Sequence, residues 1–475
     1  MPLPLKGRLG KIAYSTGSIG DTGSYTVVST FLLYFLIDIV YLDPWLAALT
    51  FSLSYGVWNA LNDPIVGILS DRTHTRFGRR RPWIMIGAPL CLLFYILIWS
   101  PPLGGAPLAE PWALEIFLFM IIVIAGYEFT YSMAAVTWFA LFPEMWESVE
   151  DRSEVVIYRQ IFAIIGGAFA VGIFPLLVAS LSGSFGEFGG WTWAGGILGA
   201  VFTSTFLISL LGIRERKEFA LDKPLSIGKS FKTTFSNKTL VTYAGVDLMT
   251  WCMFGWLSAM APFFIEHSLG MGTEDIAVVM GPEILGTIVF FSVWRKLYIR
   301  YGPKVTLAVS TILIPLAFIP CLFIQTILQV AVWGLFIGIV LAGILLAREV
   351  MMGDVVDEDE IKTGVRREGS YFGVMVMIEK LSMVIIGVCT AVVLSLIGYV
   401  SGLEPPDQPP SVGMGIRLGM VGFMALYTAM LLIFLKYYPL GKEKVVEISK
   451  KIEEMHAEKA EKLEKMTKAE NSING

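Results

Sequence analysis

Charge, cysteine and histidine are all scarce in this chain. Only 16% of its 475 residues are Asp, Glu, Lys or Arg, while 55% are hydrophobic. Soluble domains run near 25% charged, so a water-soluble globular fold is excluded and a polytopic membrane protein is expected. The four cysteines, Cys91, Cys252, Cys321 and Cys389, fall singly within apolar runs, which leaves neither a disulfide framework nor a metal-ligand spacing. His74, His267 and His456 are scattered. With no histidine inside an expected span and no metal motif, an intramembrane enzyme is set aside, and no cofactor or nucleic-acid partner is expected. The start, MPLPLKGRLGKIAY, is short and basic and leads straight into an apolar segment, so no cleavable signal is expected.

What the chain has is long apolar runs. At about 20 residues per crossing, spans are expected near 12–39, 46–70, 83–100, 112–140, 155–181, 192–213, 240–265, 275–298, 304–323, 328–350, 369–397 and 412–437. That is an all-α fold of twelve transmembrane helices. One set of connecting segments carries Arg72 to Arg81, Glu144 to Arg152, Arg214 to Lys238, Arg295 to Lys304 and Lys362 to Arg367, together with both termini. The other set, including WSPPLGGAPLAEPW and GYVSGLEPPDQPP, holds no Lys or Arg at all. Basic loops stay inside, so both termini and the long loop 214–239 are expected to be cytoplasmic in a cell (plasma) membrane protein. Arg417 is the one basic residue on the wrong side. The long loop divides the chain into an N-terminal six-helix half (1–213) and a C-terminal one (240–438), the layout of parallel-repeat transporters with a midplane site between the halves. DRTHTRFGRRRPW and VWRKLYIRYGPK echo each other at equivalent places. From 439 to 475 the chain is charged, with Val445, Ile448, Ile452, Met455, Leu463 and Met466 spaced as an amphipathic helix.

Asp21, Asp63, Glu128, Arg159, Asp247, Glu283 and Lys380 are ionisable residues inside expected spans. A charge at the bilayer centre costs about 2.5–3.5 kcal/mol or more, so these groups must pair, line water or be neutral. Asp63, within WNALNDPIVG, and Lys380 are the obvious mates. Asn59 and Asp63 share a helix face, and their oxygens suit a small hard cation; alternatively Asp63 alone carries a proton. On the fourth span, Tyr127, Tyr131, Trp138 and Phe139 gather near Glu128 and Ser132. Aromatic faces beside carboxylates and a donor such as Arg159 suit a sugar. Trp251 and Trp256 either line the same site or pack.

GSIGDTGSY, NDPIVGILSDRTHTRFGRRRPW, ALFPEM and DVVDEDEIKTGVRREGSYFGVMVMIEK together resemble the glycoside-pentoside-hexuronide:cation symporters, the melibiose-permease type of the major facilitator superfamily. The resemblance covers nearly all of 10–437. It implies cation-coupled sugar or glycoside symport by alternating access, with Asp21 and Arg159 as sugar-binding groups, Asp63 as a cation-site acid, Lys380 beside it and Ser132 near the cation. Three departures stand out. Asn59 replaces a second cation-site acid, which leaves the choice between H⁺ and Na⁺ open; Ala135 replaces a sugar-binding Asp; and Val376 replaces a Thr one turn before the Lys. Glu128 is a substitute for the missing acid at 135. A lysophospholipid or other amphiphile carrier of the same fold is the alternative, since it tolerates Ala135.

Overall fold

The computed structural model describes residues 5, 7–73, 75–102, 112–146, 149–215, 237–363, 368–452 and 454–455. Most of the loop expected at 214–239 lies outside these residues, as do His74, His456, Leu463, Met466 and residues 364–367. Within an apolar phase every backbone N–H and C=O must find its partner inside the segment, and the described chain is accordingly helical. The long helices are α1 (Gly7–Ile39), α2 (44–71), α3 (Arg81–Ile98), α4 (Trp112–Met145), α5 (149–185), α6 (187–209), α7 (Lys238–Ser268), α8 (Ile276–Tyr301), α9 (Pro303–Leu322), α10 (Ile327–Thr363), α11 (Glu368–Leu396) and α12 (Ser411–Tyr437).

Among the described residues, ten helical stretches are long and apolar enough to cross a membrane. One of these, Glu154–Ser209, runs through Gly186, whose φ of 76° breaks it into α5 and α6. Only glycine adopts that conformation at no steric cost. The ten do not include α2, which carries Asn59, Asn62, Asp63 and Asp71. Helices also run past the expected spans: α10 continues from 350 to Thr363, so the acid-rich DVVDEDEIK is helical. Hydropathy marks where a helix leaves lipid, whereas backbone hydrogen bonds propagate on into water. His267, expected outside a span, sits in the last turn of α7 and is buried.

The chain ends of α1, α7 and α12 share one face, here the terminal face, with the 71–81 and 301–303 turns. On it Arg80 binds Asp71 at 2.9 Å and Glu144 at 2.6 Å, and Arg79 binds Glu144 at 2.7 Å. Glu215 accepts the backbone N–H groups of Arg79, Arg80 and Arg81 at the start of α3, where a carboxylate complements the helix N-terminus. The basic motif is thus a clamp within the helices before Glu215. A last helix, from 442, packs Ile448 and Ile452 against the helices after Asn237, and Lys442 donates to the Arg300 carbonyl at 2.8 Å.

On the opposite face the two sets of helices meet. Asp38 of α1 accepts from His267 of α7 at 3.0 Å and from the Tyr399 hydroxyl after α11, while Tyr34 bonds Glu266. Ser401 donates to the Leu42 carbonyl at 2.9 Å and Ser52 to the Val384 carbonyl. Gly56 and Gly387 let α2 and α11 touch, since a Cβ at either would meet Val384 or Ser52 within 2.7 Å; small residues permit such approach. Arg417, the basic residue on this face, is no topological signal. It is buried and donates to the carbonyls of Cys321 and Ile324 at 2.9 and 2.7 Å and to Ser268, satisfying helix-end acceptors. Loss of the latch at Asp38 should loosen this face: with the native cysteines replaced, a Ser52→Cys reporter in detergent should react faster with a maleimide once Asp38→Asn is added. An unchanged rate would show that these bonds do not hold the face shut.

Candidate functional site

The site is built outward from α2. A π-type stretch at Phe51–Trp58 precedes Asn59–Asp71, an irregularity often found at functional positions. Pro64 has no N–H, so the Ala60 carbonyl loses its intrahelical donor. Asn59 and Asn62 are buried, at 1% and 0% exposure. Ser132 of α4 lies 2.7 Å from Asn62 Oδ1 and also bonds Asp63 Oδ1; its single proton serves one acceptor at a time. Both amide atoms of Asn59 and Nδ2 of Asn62 have no partner among the described residues. Leaving such groups bare costs about 1–3 kcal/mol each, so this cluster of oxygens and amides is poised for a small polar guest.

Lys380 of α11 is buried at 7% exposure, with its ammonium 4.8 Å from the Tyr25 ring centroid. Asp63, Glu128, Glu379 and Asp21 are all charge neighbours of that ammonium. No carboxylate among the described residues reaches ion-pair distance of it, so Asp63 and Lys380 compensate each other across the site rather than in contact. Glu128 is 1% exposed with Oε2 unpartnered, and its charged neighbours are Lys380 and Asp63. It therefore sits with Asp63 and Lys380. Glu379, to which the sequence pattern assigns no role, accepts from Tyr25 at 3.4 Å. Its adjacency to Lys380 in MIEK was the available signal.

A second cluster adjoins. Tyr131 donates to Asp21 Oδ1 at 2.6 Å, and Arg159 of α5 lies over Phe139, Trp138 and Phe142 at 4.1, 4.8 and 5.5 Å, with Asp21 as a charge neighbour. Each such stacking is worth about 0.5–2 kcal/mol and holds the guanidinium while leaving its N–H groups to bind; Nε has no partner among the described residues. Trp138 is fully covered, stacked on Tyr14 at 5.1 Å and bonded to its carbonyl at 3.0 Å. It supports Arg159 from behind, whereas Phe139 keeps 51% exposure. Tyr127 is buried against Tyr131, and Trp256 is buried in packing against Phe423. Among the described residues no charged group is a neighbour of Glu283 on α8, and Asp247 pairs with Arg348 of α10 at 2.8 Å.

Removing the central ammonium should leave buried like charges uncompensated. Lys380→Ala should lower the melting temperature of the purified protein, the equivalent of about 3–5 kcal/mol, and adding Glu379→Gln should restore part of it. Equal melting of wild type and Lys380→Ala would show that the carboxylates do not depend on Lys380.

Three relatives align along most of the chain. An uncharacterized symporter of Synechocystis sp. is 24% identical over 91% of this chain and 94% of that protein. A sodium-dependent lysophosphatidylcholine symporter 1 of Gallus gallus is 23% identical over 94% and 89%, and an isoprimeverose transporter of Lactiplantibacillus pentosus is 24% identical over 82% and 81%. Among solved structures, a bacterial homolog of the human lysosomal transporter Spinster superimposes with a TM-score of 0.66 at 14% identity, covering 93% of this chain and 98% of that one, which shows a shared fold. Residues 13–442 match the model of the MFS/sugar transport protein family, and the chain belongs to that family of membrane transporters, not to an enzyme family.

Proposed function

We propose that the protein is a secondary active transporter of the plasma membrane that moves a sugar or glycoside together with H⁺ or Na⁺ by alternating access. The observation that carries this reading is the adjacency of two unlike clusters. One, Asn59, Asp63, Ser132 and Lys380, offers oxygens and a charge-compensated carboxylate to a small cation; the other, Asp21, Tyr131, Arg159 and Phe139, offers hydroxyl partners beside an aromatic face. Asp21 and Asp63 both neighbour Lys380, so occupancy of one cluster alters the charge balance of the other. That is the physical basis for coupling.

The chain crosses the membrane twelve times in this reading: the ten apolar stretches, one of them divided at Gly186, and α2. Two six-helix halves, 1–213 and 240–438, rock about the site, and the terminal face with its clamp of arginines is cytoplasmic by the positive-inside rule. An amphiphile is the second reading, favoured by the alignment of a lysophosphatidylcholine symporter over 94% of this chain and by Ala135.

In proteoliposomes Asp63→Asn should abolish uphill accumulation of a transported sugar while leaving downhill exchange; accumulation by the variant would refute the coupling role. Sugar-induced alkalinisation of the medium without Na⁺ identifies the proton as the coupling ion, and uptake that requires Na⁺ identifies sodium. Protection from thermal unfolding by lysophosphatidylcholine, and by no sugar, would establish the amphiphile reading instead.

A further inference from the structure

Two acids occupy corresponding places in the two sets of helices. On α1, Gly20 packs against Phe202 of α6 and is followed at once by Asp21; on α7, Gly245 packs against Phe434 of α12 and is followed two residues on by Asp247. Each acid has an aromatic four residues later, Tyr25 and Trp251, and each aromatic lies under a cation, Lys380 at 4.8 Å and Arg348 at 4.9 Å. Each acid is also held from the fourth helix of its set: Asp21 by Tyr131 of α4 at 2.6 Å, Asp247 by Arg348 of α10 at 2.8 Å. The two arrangements adjoin, because Glu379 neighbours Lys380 on one side and Arg348 and Asp247 on the other.

We propose that Asp247, Arg348 and Trp251 form a second carbohydrate subsite, contributed by the C-terminal helices, that takes a neutral sugar unit and rejects a carboxylate-bearing one. This deepens the sugar reading and rests on it. The cluster is not a closed structural ion pair. Asp247 is 1% exposed, yet its Oδ2 has no partner among the described residues, and neither has Arg348 Nε. A buried carboxylate oxygen and a buried guanidinium N–H left bare side by side are a matched acceptor and donor for the hydroxyls of a sugar ring, and half-buried Trp251 supplies an aromatic face for its C–H surface. The sign of the local charge sets the selectivity. Arg348 is already engaged by Asp247 and, at 2.7 Å, by Glu349, while Glu379 beyond is shared with Lys380, so two carboxylates hold one guanidinium and a hexuronate carboxylate would be repelled.

The test measures uptake of labelled xylose, galactose, melibiose, maltose and glucuronate into proteoliposomes by the full-length protein and by Asp247→Asn, Asp247→Glu, Trp251→Ala and Trp251→Phe. Asp247→Asn and Trp251→Ala should raise KM for the transported neutral sugar about tenfold, the loss of roughly one charge-assisted hydrogen bond or one stacked ring. Vmax and the cation dependence should stay within about twofold, Trp251→Phe should keep most of the affinity, and Asp247→Asn should raise the share of glucuronate taken up. If Asp247→Asn does not fold, Asp247→Glu and the two Trp251 variants decide the matter through the same KM readout. Unchanged KM and selectivity in variants of normal melting temperature, or a fall in Vmax alone, would overturn the subsite and leave the pair a structural one. Wild type that transports none of these sugars would overturn the sugar reading itself, a result distinct from the other two.

Discussion

One buried ammonium organises this molecule. Lys380 sits among Asp63, Glu128, Glu379 and Asp21 with no ion pair in contact and with the Tyr25 ring against its charge. In a low-dielectric interior the interaction between charges is stronger at every distance than in water, so one cation can balance several carboxylates at once. Unpaired, those groups would each be costly in lipid; together they are tolerable, and in the proposed transport the balance would change as a cation or a polar substrate enters. The position of Lys380 on α11, opposite α1, α2 and α4, places that balance at the meeting of the two sets of helices.

On one face the same junction is closed in large part by groups that can part. Asp38, His267 and Tyr399 are joined by hydrogen bonds beside the ring contact of Tyr34 with Phe263, and α2 meets α11 through Gly56 and Gly387. Hydrogen bonds of this kind are worth little net when water replaces them, so such a seam can open without a large loss. Within each set the joints are of another kind: Arg79 and Arg80 locked on Asp71 and Glu144, and Arg417 buried among helix-end carbonyls. Tight joints within each set and a largely hydrogen-bonded seam between them are what the proposed rocking requires.

Much of this was legible residue by residue. Asp63, Lys380, Asp21 and Arg159 stand out from the chain because the penalty for a charge in lipid belongs to each residue singly, and ten long apolar stretches follow from the same property. Helical spacing also placed Asn59 and Asp63 on one face. Hydropathy marks the apolar span and not the helix end: α10 runs thirteen residues past the span expected to end at 350, to Thr363, and Arg417, the exception to the basic-loop pattern, is held by helix-end carbonyls. Glu379 has no role in the sequence pattern because the lysine beside it draws attention, and His267 falls outside the expected span because α7 continues just past the apolar run.

The sequence by itself therefore determined that this is a polytopic α-helical membrane protein, which family it resembles and which charges must be accounted for, because those follow from composition, period and the solvation cost of single groups. Only the tertiary structure decided the partners. Glu128 lies with Lys380 and Asp63, Trp138 lies against Tyr14 and under Arg159, and Asp247 found Arg348 a hundred and one residues away. Those choices depend on which helix faces meet, and that is set by the packing of glycines and aromatics between segments far apart in the chain, a property no single segment contains.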